Sequence, residues 1–116
     1  MRKLYHIDLG LPNGLEENLK KIGIVPLEYK YHALKAANDD RYGRIELPET
    51  IDCSKAKPIE VEVIDNKVNK VVWRTRYDSE YDLIIVMLMD CTVKTVWLNS
   101  VRDLHKTLDA SKYDRV

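Results

Sequence analysis

Phenylalanine is absent from this 116-residue chain, so seven Tyr and two Trp supply all of its aromatic volume. Only two Cys are present, Cys53 and Cys91. They cannot build a disulfide framework, and with the three His they form no zinc-spaced cluster. Reduced cytoplasmic thiols are the natural reading. Four Pro and four Gly are too few for a low-complexity chain. The longest apolar run, Leu83 to Met89, falls far short of the roughly 20 residues that span a bilayer. The opening MRKLYHIDLG carries no apolar h-region, so it does not read as a signal peptide. An excess of either charge is also missing, since 19 basic side chains face 19 acidic ones. That argues against a non-specific nucleic-acid coat and against an acidic disordered tail.

What remains is a globular composition, 45% hydrophobic, of a length suited to a single domain over residues 1–116. Charge shifts a little along it: residues 1–66 carry 10 basic and 12 acidic groups, residues 67–116 carry 9 and 7. The more cationic surface therefore belongs to the second part.

The periodicity divides the chain in two. Met1 to Leu9 reads as a short strand or an extended arm. Asn13 and Glu16 suggest a capping box, with Leu15, Leu19 and Ile22 at helical spacing and Gly23 as the stop. A second helix is expected over about Glu28 to Asn38. After Pro58 the period becomes two: strands at Ile59–Ile64, Val68–Tyr77, Tyr81–Met89 and Thr92–Asn99, with Asp65-Asn66-Lys67 as a hairpin turn. Short connections make neighbouring strands antiparallel. The expected fold is α+β, with N-terminal helices packed on one face of an antiparallel four-stranded meander.

Three constellations carry chemistry. His32 and Lys35 stand at i and i+3 on the second helix, with Arg41 just beyond it before Gly43. An imidazole beside two cations can hold phosphate and move a proton near neutral pH; the plainer alternative is a helix-edge His among solvated charges. Lys70, Arg74 and Arg76 share one strand face by alternation, with Val68 and Val72, opposite Asn69, Val71, Trp73, Thr75 and Tyr77. Guanidinium forks grip phosphate with paired hydrogen bonds, although such a charge array also keeps an edge strand from aggregating. The third is the run from Trp97 to Tyr113, where His105 and Thr107 would face a common cleft if the chain is extended there, or form a simple turn. No glycine-rich phosphate loop and no metal motif is visible, so neither metal nor cofactor is expected.

Together these segments resemble the barnase–EndoU–colicin–RelE fold, a group of small metal-independent ribonucleases and toxins. More narrowly, HALKAANDDRYGRIELP, VVWRTRYDSEYDLIIV and VKTVWLNSVRDLHKTLDASKY are similar to segments of small proteins of bacteriophages and mobile elements. The resemblance spans about residues 30 to 113. It implies RNA cleavage by attack of a ribose 2′-OH on the adjacent phosphorus. His32 and His105 would be the acid/base pair, Arg74 and Arg76 would hold the phosphate, Thr107 and Tyr113 would position it, and Lys35 and Arg41 would extend the cationic wall. Lys70 adds to the substrate-binding face. The neutral charge balance departs from the basic ribonuclease toxins and favours a structured RNA, or no RNA. Two partner classes stay open: RNA, and a host protein bound by a non-catalytic accessory protein rich in Tyr, Trp and Arg. A nucleotide or small phosphate ligand held by the same arginines is a third.

Overall fold

In a computed structural model, residues 1–103 and 108–116 are described. Strand β1 (Arg2–His6) leads through a 3-10 turn into helix α1 (Leu15–Lys20), then β2 (Ile24–Pro26), β3 (Glu28–Tyr29) and helix α2 (Tyr31–Asn38). Strands β4 (Thr50–Asp52), β5 (Lys57–Ile64), β6 (Lys67–Arg76), β7 (Tyr81–Leu88) and β8 (Thr92–Ser100) follow, with a last 3-10 turn at Ala110–Lys112. Six of the strands form one mixed sheet in the order β1-β5-β6-β7-β8-β3. All neighbours in it are antiparallel except β3, which runs parallel to β8. Strands β2 and β4 make a separate antiparallel ribbon.

This corrects the expected fold of N-terminal helices on a four-stranded meander. The expected strands are present as β5 to β8, but the N-terminal segment adds β1 to one edge and β3 to the other. Residues 28–29, expected to open the second helix, are strand, and that helix starts at Tyr31. The first helix begins after Gly14, which sits at φ +80° with no side-chain cap, so Asn13 does not cap it.

Local chemistry explains the turns. Asp65 and Asn66 both take positive φ, 49° and 68°, as a two-residue hairpin matched to strand twist requires. Asp78 Oδ1 accepts the N–H groups of Glu80 and Tyr81, each at 2.8 Å, and sets the turn from β6 to β7. In β7 the run Leu83 to Met87 is buried on both faces, as a central strand should be.

The main core lies between one sheet face and the layer of α2 and the β2–β4 ribbon, with Trp73, Leu83, Ile85, Met87, Val96 and Leu98 on the sheet side. Ala33 and Ala37, one turn apart on α2 and both buried, let the helix approach closely. On the opposite face Val72, Ile84 and Val86 form a smaller cluster with Ile59. A bulge changes the expected faces of β6. Glu62 pairs with Lys70 but Val63 with Val68, so Asn69 is the extra residue. Val68 consequently packs against the main core instead of sharing the face of Lys70.

The C-terminal residues reach the β1 edge. The Asp114 N–H donates to Leu4 O at 2.7 Å, and the Leu4 N–H donates to Asp114 Oδ2 at 2.8 Å. An edge that would otherwise offer unpaired backbone groups is thereby covered.

Candidate functional site

Helix α2 begins two residues after β3, and β3 pairs in parallel with the start of β8. The helix therefore continues beside β8, along the sheet edge that the two-residue β3 leaves bare. Ala33 and Ala37 face the core. His32, Lys35, Ala36 and Asp39 line the other flank of a groove, across from Thr95, Val96, Trp97, Leu98 and Asn99. Asp40 and Arg41 complete the lining, and the groove encloses about 610 Å3.

The turn after α2 is fastened to β8. Asp40 Oδ1 accepts the Leu98 N–H at 3.2 Å, and its Oδ2 accepts the Tyr42 N–H at 3.1 Å. Gly43, at φ +107°, donates its N–H to Asp40 O at 3.0 Å and lets the chain reverse. This places the Arg41 guanidinium 4.6 Å from the centroid of the Tyr42 ring. Tyr42 in turn stacks on Tyr81, with ring centroids 4.7 Å apart and planes tilted by 31°. Lys35 Nζ lies 3.3 Å from Asp39 Oδ2. The Asn38 side-chain amide and then Lys35 hold the Asp39 carboxyl below its ordinary range.

A second hollow, of about 420 Å3, has Tyr42, Tyr81, Ser100 and Arg102 in its lining. A third, of about 290 Å3, lies beneath the C-terminal residues, and Trp97 lines it as well as the groove.

The structure brings together three of the residues singled out from sequence: His32, Lys35 and Arg41, all exposed, share the groove. The other described ones stand elsewhere. Arg74 is largely buried; its Nε donates to Asp82 Oδ2 at 2.7 Å, and its terminal nitrogens donate to the carbonyls of Ser100 at 3.0 Å and Asp103 at 3.3 Å. These bonds tie β6 to β7 and to the end of β8, and they occupy much of the fork that phosphate would need. Arg76 is exposed, with Nε 3.1 Å from Asp82 Oδ1. Lys70 Nζ lies 3.9 Å from Glu62 Oε2. Tyr113 donates its hydroxyl to Glu60 Oε1 at 2.7 Å and meets the His6 ring edge-on at 5.1 Å. Burial first, and then that carboxylate, push the Tyr113 phenol up to about 12. His105 and Thr107 lie outside the described residues.

Sequence reasoning missed Trp97, Tyr42 and Tyr81 as site residues. Alternation along β8 puts Val96 and Leu98 in the main core and Trp97, paired with Ile84, on the opposite sheet face. Among the described residues no group of three or more His, Cys, Asp or Glu is placed to hold a metal ion, and no helix is long and apolar enough to cross a membrane. No family model, curated protein or solved structure matches the chain.

Proposed function

We propose that this chain binds RNA in the groove between α2 and β8 and cleaves it there without a metal ion. One observation carries the reading: an imidazole, an ammonium and a guanidinium line the same open groove. Such cations neutralise a phosphodiester. In the reaction His32 takes the proton from a ribose 2′-OH. The 2′-oxygen bonds to phosphorus, the bond from phosphorus to the 5′-oxygen breaks, and a cyclic phosphate remains. Lys35 and Arg41 stabilise the charge that develops on the phosphoryl oxygens. Protonation of the departing 5′-oxygen falls to His105 in the sequence reading. The resemblance to metal-independent ribonucleases supports the same chemistry.

The test is cleavage of a fluorescent RNA in EDTA. His32→Ala should slow cleavage by about 100-fold or more, the usual worth of a general base. No cleavage by the unaltered chain, or equal rates in the variant, would remove the proposal.

A second reading is a non-catalytic accessory protein that docks on a host protein. It is favoured by Tyr31 and Leu34, which stand 80% and 50% exposed, three residues apart on α2. Retention of one stoichiometric bacterial protein, lost in Tyr31→Ser/Leu34→Ser, together with no RNA cleavage, would favour it.

A further inference from the structure

We infer that the bare edge of β8 beside α2 takes an extended acidic segment of a partner protein as an added strand, and that this occupant closes the groove. Strand addition is independent of the RNA reading; only its consequence, a groove shut to RNA, rests on that reading.

The edge is open because β3 is so short. It pairs with β8 at Thr92 and Val93, and the Lys30 N–H reaches Val93 O at 3.2 Å just before α2 begins. Past Val93, β7 is the one strand beside β8 among the described residues. The groove follows this bare stretch. Val96 and Leu98 of the main core line it, and so do Thr95 and Trp97, whose partners Val86 and Ile84 lie on the opposite sheet face. Only the edge of a strand borders both faces.

Backbone parity shows which groups point into the groove. The Val101 N–H donates to Glu80 O at 3.0 Å, in line with the β7–β8 register, whereas the Leu98 N–H turns the other way, to Asp40 Oδ1. Odd-numbered residues at this end of β8 therefore bond to β7, and even-numbered ones face outward. The register is unbroken from Ser100 back to Thr95. Hence the N–H and C=O of Val96 and the C=O of Leu98 face the groove. Among the described residues, no turn, loop or side-chain hydrogen bond reaches these three groups. Asp40 closes the edge at Leu98 and β3 closes it at Val93. The stretch between them measures about 16 Å at the rise of a strand, enough for a short added strand.

Charge selects the occupant. The acids in the lining are engaged: both Asp40 oxygens accept backbone N–H groups, and Asp39 is held by Asn38 and Lys35. Arg41, resting on the Tyr42 ring, and the exposed Lys94 at the start of the bare stretch have no carboxylate partner among the described residues. A strand with Glu or Asp at alternate positions complements these two cations, and its backbone supplies the groups that Val96 and Leu98 lack.

The probes are acetylated, amidated heptapeptides with Glu at alternate positions and Val, Thr or Tyr between them, each carrying a fluorophore and tested to about 1 mM by anisotropy. At least one should bind. Its binding should slow hydrogen exchange of the Val96 amide about tenfold, the worth of one hydrogen bond, and leave the Trp97 amide unchanged. N-methylation of one alternate set of peptide amides should abolish binding, and methylation of the other set should leave it intact, because an added strand bonds through every second residue. Arg41→Glu should weaken binding roughly two- to fivefold, as an exposed charge pair would. No binding by any peptide, equal binding by both methylated forms, or an unchanged Val96 amide in the complex overturns strand addition. A 2′-O-methyl tetranucleotide of uridine, which has no 2′-OH to react, reports on the groove. Saturating peptide should displace it; RNA bound equally well with and without peptide overturns the closing of the groove. Peptide binding with protection of Val96, but with no RNA bound at all, supports strand addition and removes the RNA reading alone.

Discussion

Asp40 and Leu98 are 58 positions apart, yet the carboxylate of one accepts the backbone N–H of the other at 3.2 Å. The bond serves two ends. It satisfies an amide on the sheet edge, which would otherwise be open to strand pairing with another chain. It also anchors the turn that carries Arg41 and Tyr42 over the groove, because the second carboxylate oxygen accepts the Tyr42 N–H. Sheet-edge protection and site geometry are therefore coupled through one side chain.

Asp40→Ala removes both acceptors. It should destabilise the fold by about 1–3 kcal/mol, the usual cost of hydrogen bonds to a charged group. Asp40→Asn, which retains one carbonyl acceptor, should fall between. Urea unfolding measures both. An alanine variant as stable as the parent would mean that the turn is not held by this contact.

Arg74 and Arg76 separate a structural guanidinium from a solvated one. They share the Asp82 carboxylate, but Arg74 is 13% exposed at its side chain and Arg76 is 65% exposed. Arg74→Ala should cost about 3 kcal/mol, because it removes the less exposed of Asp82's two guanidinium partners and the donor to the Ser100 and Asp103 carbonyls. Arg76→Ala should change stability by less than about 1 kcal/mol. Equal and small effects from both, in thermal or urea unfolding, would show that Arg74 is free for a ligand after all.

Glu62 gives the fold a defined response to acid. Its carboxylate accepts from the Asn69 amide at 2.7 Å and from Arg2 Nε at 2.6 Å, with Lys70 Nζ at 3.9 Å. The Asn69 hydrogen bond, then that of Arg2, and the nearby Lys70 and Arg2 charges hold its pKa below the ordinary value. A folded-state pKa below the unfolded one means stability that is present above the ordinary carboxylate range and is lost as pH falls through it. Glu62→Gln should therefore be less stable than the parent at pH 7, and the gap should close as pH is lowered towards 3. Unfolding midpoints in urea across that range are the measurement; a constant gap would contradict the linkage.

How far these features could be read in advance depended on the range of the interactions behind them. The Asp65-Asn66 hairpin and the alternation of β7 and β8 are local, and they are visible in the residues themselves. The pairing of Tyr5 with Val61 joins residues 56 apart, and the β3–β8 pairing involves only Glu28 and Tyr29. Neither leaves a periodic signal, so the sheet grew by two strands that local reading could not place. The same limit applies to the site. Spacing on one helix and its following turn placed His32, Lys35 and Arg41 together. Arg74 pointed off the core face, as alternation requires, but its partner Asp82 on the neighbouring strand and the carbonyls of Ser100 and Asp103 were beyond local view. Asn69 shows how a single inserted residue in a bulge reverses an alternation argument and moves Val68 to the opposite side.

The two cysteines should differ sharply in reactivity. Cys53 is fully buried beyond β4, and burial, with smaller contributions from the nearby Cys91 thiol and Asp52, pushes its thiol up to about 11. At pH 8 only about one Cys53 in a thousand would be thiolate, and the thiolate is the form that attacks a disulfide reagent. Cys91 is partly exposed, in the turn between β7 and β8. The native protein should therefore release one equivalent of thiol quickly from an aromatic disulfide reagent and the second only on unfolding. Cys91→Ser should abolish the fast phase, and Cys53→Ala should leave it unchanged. Two fast equivalents in the native protein would show that the layer over Cys53 opens readily, and the ribbon of β2 and β4 would then be a loosely held part of the core.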